Sequence, residues 1–354
     1  MVRRTLLAAV VLSLGVLQAA QKLAGGPVAV NVEPRKATVT WAVQTSEAGL
    51  GLAPDKLDRG APALQFEKIT YTGLEPGRTY YYNVLGRPEG RGRFKTAPAG
   101  RASFQFVAYG DTRTRHDVHR RVVEAIIKAE PDFLLHTGDL VADGDDPAQW
   151  PVFFSIEREL LNKAAFFPTP GNHERGSRLY YDAFDLRVPY YSFDWGSAHF
   201  SVLNSDLRNV SSSQAERETF WNQQWRWLEG DLKAAQKADL RFAMMHHPVI
   251  SAMSWRQQQS GVLSGLMPLF EKYKVHVVFC GHDHNYQHHL RNGVHYVVTG
   301  GAGAPLYPVD APIPGITRKA ERVENFVKVR VDGAKAFLEA FRPDGSLIER
   351  FQAP

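Results

Sequence analysis

The chain of 354 residues is poor in cysteine: Cys280 stands alone, so no disulfide within the chain can hold the fold, and a packed core must. A strong charge of either sign is lacking too. The formal net charge is +5, and losing Arg3 and Arg4 with a leader would leave 5 − 2 = +3, little for a nucleic-acid binder and compatible with an anionic substrate. Internal repeats and low-complexity tracts are missing, and with 44% hydrophobic and 22% charged residues disorder is not expected. Histidine is absent from both ends, all 13 lying between His116 and His295, which points to metal or acid–base work in the middle of the chain.

The one long apolar run is N-terminal. Arg3 and Arg4 precede Leu6 to Ala20, a charged segment, a hydrophobic segment and a small-residue end, broken by Ser13, Gly15 and Gln18. This pattern predicts a cleaved export signal over residues 1–20, a secreted or periplasmic location and no membrane anchor after cleavage.

Beyond it, Val28, Val30, Val32, Val39 and Trp41 alternate with other residues as in half-buried strands, and turn residues punctuate the region through Ile69, Tyr71, Tyr80, Tyr82, Val84 and Phe94. Residues 26–98 therefore predict a small all-β sandwich. Its Gly73-Leu74-Glu75-Pro76-Gly77-Arg78-Thr79-Tyr80 motif resembles that of fibronectin type III-like modules.

From residue 102 the pattern changes. An apolar run Phe104–Tyr109 precedes Val118, Val122, Val123, Ile126 and Ile127 at helical spacing, and Phe133–His136 follows as a second strand. Alternation of this kind predicts an α/β domain over 102–354, with reactive groups at the carboxyl ends of strands. Further strands are expected near 166–169, 191–193, 199–203, 240–245, 275–279 and 295–299, and helices over 216–235 and 263–272. The tail alternates through Val327, Val329 and Val331, then 337–341 and 347–351, and reads as strands added to the same domain.

Five segments follow these strands in order: Tyr109-Gly110-Asp111, Thr137-Gly138-Asp139, Gly171-Asn172-His173-Glu174, His246-His247-Pro248 and Gly281-His282-Asp283-His284. They offer carboxylates, an amide and imidazoles, a donor set for hard or borderline divalent and trivalent ions. Jointly they resemble the ligand motifs of the calcineurin-like metallophosphoesterase superfamily, and the β module in front makes the chain similar to the purple acid phosphatase branch. The resemblance implies a four-layer α/β/β/α sandwich and two ions among iron, zinc and manganese. It implies that Asp139 bridges them, that Asn172, His246 and His282 complete one site, and that Asp111 and His284 hold the other. His173 then resembles the imidazole that protonates the leaving oxygen.

One ligand position departs from the family. A histidine two residues after the first Asp, or a tyrosine three after the second, is usual; Arg113 and Ala142 stand there. Without the tyrosinate no purple colour is expected. His119, early on the helix after Asp111, is the candidate for the missing ligand, with His116 behind it, and Arg113 is a candidate to grip a phosphate oxygen. The reading is an exported dinuclear hydrolase of small phosphoesters, with a nucleotide or cyclic-nucleotide phosphodiesterase as the alternative. A non-catalytic binding or adhesion protein on the same scaffold is the alternative of another class. Trp221, Trp225, Leu228 and Leu232 read as helix core, and Cys280 as a buried small residue.

Overall fold

The computed structural model describes residues 22–257 and 261–354, so the export signal read at 1–20 lies outside the described residues. The N-terminal part forms strands β1 (Lys22–Val30), β2 (Lys36–Leu50), β3 (Arg59–Thr72), β4 (Thr79–Asn83) and β5 (Arg91–Lys95). Strand and helix then alternate: β6 (Phe104–Tyr109), α1 (His116–Lys128), β7 (Phe133–His136), α2 (Gln149–Leu161), β8 (Ala165–Pro168) and α3 (Arg178–Ala183). Next come β9 (Tyr191–Trp195), β10 (Ala198–Val202), α4 (Gln214–Ala234), β11 (Leu240–Met244), the short α5 (Ser254–Gln257) and α6 (Gly261–Ser264), and α7 (Leu266–Lys272). The chain ends with β12 (Val277–Cys280), β13 (Tyr286–Arg291), β14 (Val294–Thr299), β15 (Thr317–Glu321), β16 (Phe326–Asp332), β17 (Lys335–Phe341) and β18 (Leu347–Ala353).

Two large sheets result, nine strands in the order β18-β17-β16-β6-β7-β8-β1-β2-β3 and seven in the order β15-β13-β14-β12-β11-β10-β9. They face each other across an aromatic core: Phe106 from β6 meets Phe200 from β10 and Phe242 from β11 edge-on, with centroids 5.4 and 5.6 Å apart. Truncating such a buried ring to alanine costs roughly 3–5 kcal/mol. On the outer face of the nine-stranded sheet, α1 buries Val118, Val122, Val123 and Ile126 among Trp150, Phe153 and Phe154 of α2. On the other side, Leu228 and Leu232 of α4 and Leu269 and Phe270 of α7 cover the seven-stranded sheet, with Trp221, Trp225 and Cys280 in the same cluster. Helix, sheet, sheet and helix make four layers.

The tail strands join as expected: β16 pairs antiparallel with β6, burying Val327, Val329 and Val331. The N-terminal strands hold a surprise. Residues 26–98 read as a separate sandwich, yet β1 pairs in parallel with β8 and carries β2 and β3 into the nine-stranded sheet, leaving only β4 and β5 as a ribbon of their own. Burial explains the junction, because Val28 and Val30 pack into the cluster under α1 and α2 while Ala29, Val32, Val39 and Trp41 pack between the large sheets. The motif at 73–80 closes locally, the Glu75 amide donating to the Tyr80 hydroxyl at 2.9 Å, a tyrosine-corner contact. Among the described residues no helix is long and apolar enough to cross a membrane.

Parallel runs dominate the middle of both sheets. β6, β7 and β8 are parallel, as are β10, β11, β12 and β14, so their carboxyl ends gather at one edge of the sandwich.

Candidate metal centre

All five sequence segments leave that edge: Asp111 after β6, Asp139 after β7, Asn172 after β8, His246 after β11 and His282 and His284 after β12. The backbone is forced there. Asp111, Asp139 and His282 have φ of 59°, 56° and 66°, a left-handed conformation uncommon outside glycine, which turns their side chains back over the strand ends. The motif glycines make room. A Cβ on Gly171 would sit 2.3 Å from Asp139 Oδ1, and one on Gly138 would sit 2.7 Å from His246 Nδ1.

Asp111, Asp139 and His246 place one ligand atom each within 4.8 Å of one another, and His246, His247 and His282 do the same. Hydrogen bonding fixes the rings. His246 Nδ1 donates to the Thr137 carbonyl at 2.8 Å, and His284 Nδ1 to that of Pro305 at 2.7 Å. A carbonyl cannot donate, so each Nε2 carries a lone pair. His246 Nε2 points it at Asn172 Oδ1 (3.2 Å), His282 Nδ1 (3.2 Å) and Asp139 Oδ1 (3.4 Å), and His284 Nε2 lies 3.4 Å from Asp111 Oδ1. Electron-pair donors converging in a buried space repel one another unless a cation lies between them. The donor set therefore fits metal ions.

Burial sharpens this. It holds His282 well below the usual imidazole range, His246 down to about 3 and His284 to about 4, which keeps them neutral as ligands must be. Burial together with Asp139 pushes Asp111 well above the usual carboxylate range. Asp206, raised to about 6 by burial with Asp139 nearby, extends the acidic side.

His173 and Arg113 flank the carboxylates. His173 Nδ1 donates to the Ala142 carbonyl at 2.7 Å, leaving Nε2 3.9 Å from Asp139 Oδ2 on a side chain 28% exposed. Arg113 Nε lies 3.4 Å from the same oxygen. His119 goes elsewhere: its Nε2 is 2.7 Å from Glu157 on α2, with both side chains buried, and Tyr109 donates to the other Glu157 oxygen. The structure thus brings Asp111, Asp139, Asn172, His246, His282, His284, His173 and Arg113 together and turns His119 into the α1–α2 layer. His116 is exposed.

Three further side chains, His247, Glu174 and Asn209, belong to the arrangement. His247 joins the cluster of imidazoles with its Nδ1 2.9 Å from Ser205 Oγ. Glu174 accepts from the amides of Gly171, Asp139 and Leu140 at 2.6–2.9 Å, tying the Asn172 loop to the Asp139 loop. Its place after Gly171-Asn172-His173 was the available signal. Asn209 braces the Asn172 carbonyl at 3.1 Å and Asp206 at 2.6 Å, a role that nothing in the sequence announced.

The family model for calcineurin-like phosphoesterases matches residues 104–286. An uncharacterised protein of Mycobacterium tuberculosis is 28% identical over 268 residues, covering 63% of this chain and 51% of that protein. Purple acid phosphatase 21 of Arabidopsis thaliana is 28% identical over 235 residues, covering 60% of this chain and 51% of that one. The chain spans about half the length of these curated relatives. Among solved structures, a purple acid phosphatase from yellow lupin (Lupinus luteus) seeds superposes with a TM-score of 0.70 at 18% identity, over 94% of this chain and 73% of that one, and so shares the fold.

Proposed function

Because the chain belongs to the calcineurin-like phosphoesterase family, we propose that it is a metal-dependent, acid phosphatase-like hydrolase of small phosphoesters. The observation that carries this reading is the gathering of Asn172 Oδ1, His282 Nδ1 and Asp139 Oδ1 within 3.2–3.4 Å of the unshared electron pair on His246 Nε2. The family's centre is dinuclear, and oxygen and nitrogen donors of this kind suit iron, zinc or manganese. Bound there, such ions lower the pKa of water and neutralise charge on a phosphoryl group.

The chain's own residues do the rest. His173, fixed by Ala142 and partly exposed, can hold a proton on Nε2 for the leaving oxygen. Arg113 presents a cation beside Asp139 where a phosphate oxygen can be gripped. The leader pattern at 1–20 supports a secreted or periplasmic site of action.

One observation favours the nucleotide alternative. Tyr307 stacks on His284 with centroids 4.1 Å apart, and Trp255, 43% exposed, meets Tyr307 at 5.9 Å, so an aromatic wall runs outward from the centre on which a base could stack. Turnover of p-nitrophenyl phosphate, bis-p-nitrophenyl phosphate, glycerol phosphate and nucleoside mono- and cyclic phosphates by protein of measured metal content tests both. Hydrolysis of monoesters supports the phosphatase reading, and preference for the nucleotides over glycerol phosphate supports the second. A folded, metal-bearing protein that turns over none of them overturns both.

A further inference from the structure

Two donor sets share Asp139, and they are not equivalent. One has Asn172 Oδ1, His282 Nδ1 and Asp139 Oδ1, each 3.2–3.4 Å from His246 Nε2, four candidate donors in all. The other has Asp111, Asp139 and His284, and into it comes Arg113. Its backbone amide donates to the Asp139 carbonyl at 3.3 Å, which fixes the residue to that loop. Its side chain is 14% exposed, and Nε is buried 3.4 Å from Asp139 Oδ2 with no hydrogen-bond partner. A buried guanidinium nitrogen beside a carboxylate, with no bond made, has donor capacity left for an incoming oxygen.

Arg113 Nε lies against Asp139 Oδ2, whereas His246 Nε2 of the four-donor set lies against Oδ1, so the guanidinium meets the other oxygen of the shared carboxylate. A second ion on the three-donor set would lie against the guanidinium with one protein ligand fewer to hold it.

We infer that the Arg113 guanidinium takes the place of the first ion, so that the centre holds one metal ion per chain, on Asp139, Asn172, His246 and His282. Arg113 supplies the second positive charge for the phosphoryl group. This rests on the hydrolase reading above but makes a separate claim.

Metal content by plasma mass spectrometry decides it, on the full chain loaded with manganese, zinc or iron and dialysed. Wild type should carry a single ion, Asp111→Asn should keep it, His246→Ala should lose it, and Arg113→His, which replaces the guanidinium by an imidazole, should admit a second. Circular dichroism checks that each variant is folded, and the first two variants decide the matter should Arg113→His not fold. Two ions in wild type, or an ion lost in Asp111→Asn and kept in His246→Ala, overturns the inference. Two ions with turnover leave the hydrolase reading standing, whereas a single ion without turnover on any ester overturns that reading and leaves this inference intact.

Discussion

Buried histidines serve opposite ends in two regions of this molecule. At the strand ends His246 and His284 give Nδ1–H to the carbonyls of Thr137 and Pro305, and Nε2 is left facing the centre. At the edge of the seven-stranded sheet His199 gives both nitrogens to carboxylates, Nδ1 to Asp194 at 2.7 Å and Nε2 to Asp231 at 2.9 Å. Burial pushes each ring towards the neutral form. It wins at His246 and His284, whereas the two aspartates outweigh it at His199 and raise that ring to about 9. A carbonyl partner orients an imidazole without charging it, so a lone pair remains for an ion. A carboxylate partner charges the ring and uses up that lone pair.

The contrast can be broken by substitution. The largest effect is expected at Asp139, which both donor sets share: Asp139→Ala should cut turnover by on the order of 10³-fold or more and empty the centre of metal. Unchanged activity would show that the ligand assignment is wrong. His246→Ala should lower turnover by on the order of 10²-fold or more while leaving the melting transition cooperative. His119→Ala should do the reverse. It leaves Glu157 buried with one oxygen unpartnered and only Tyr109 on the other, so unfolding in denaturant should come roughly 3 kcal/mol earlier with metal content intact. Loss of an ion in that variant would make His119 a ligand after all.

The smallest effect sharpens the contrast through pH. His199 is raised from 6.5 to about 9, so its contribution to stability is whole below about pH 6.5 and fades as pH rises through about 9. Across that window wild type should lose roughly 2 kcal/mol more than His199→Gln in denaturant melts, the exposure of Asp194 having been allowed for. Parallel losses would mean that the ring is not charged in the fold.

Much of this was legible in the sequence, and the misses have physical causes. The strands at 104–109 and 133–136 show because both faces of each are apolar. β13 does not, since Tyr286-Gln287-His288-His289 is polar; it is buried because His288 pairs with Glu349 and His295, and His289 with Thr317 and Gln287. Alternation in residues 26–98 announced strands correctly but carries no information about which neighbour a strand will join. That the candidate ligands gather at one edge was readable from their spacing after strands. The sequence points His119 towards the centre as a ligand, whereas the structure turns it to Glu157 on α2: its helical position is equally compatible with either side, and only the position of Glu157 decides.

Glu174 has one more consequence. Its carboxylate takes the amides of Gly171, Asp139 and Leu140, so the loops that bring Asn172 and Asp139 are fastened to each other by the chain itself. The entropy of arranging those two side chains is therefore lost during folding, and an ion held by them would need to put little of its binding energy into assembling its own socket.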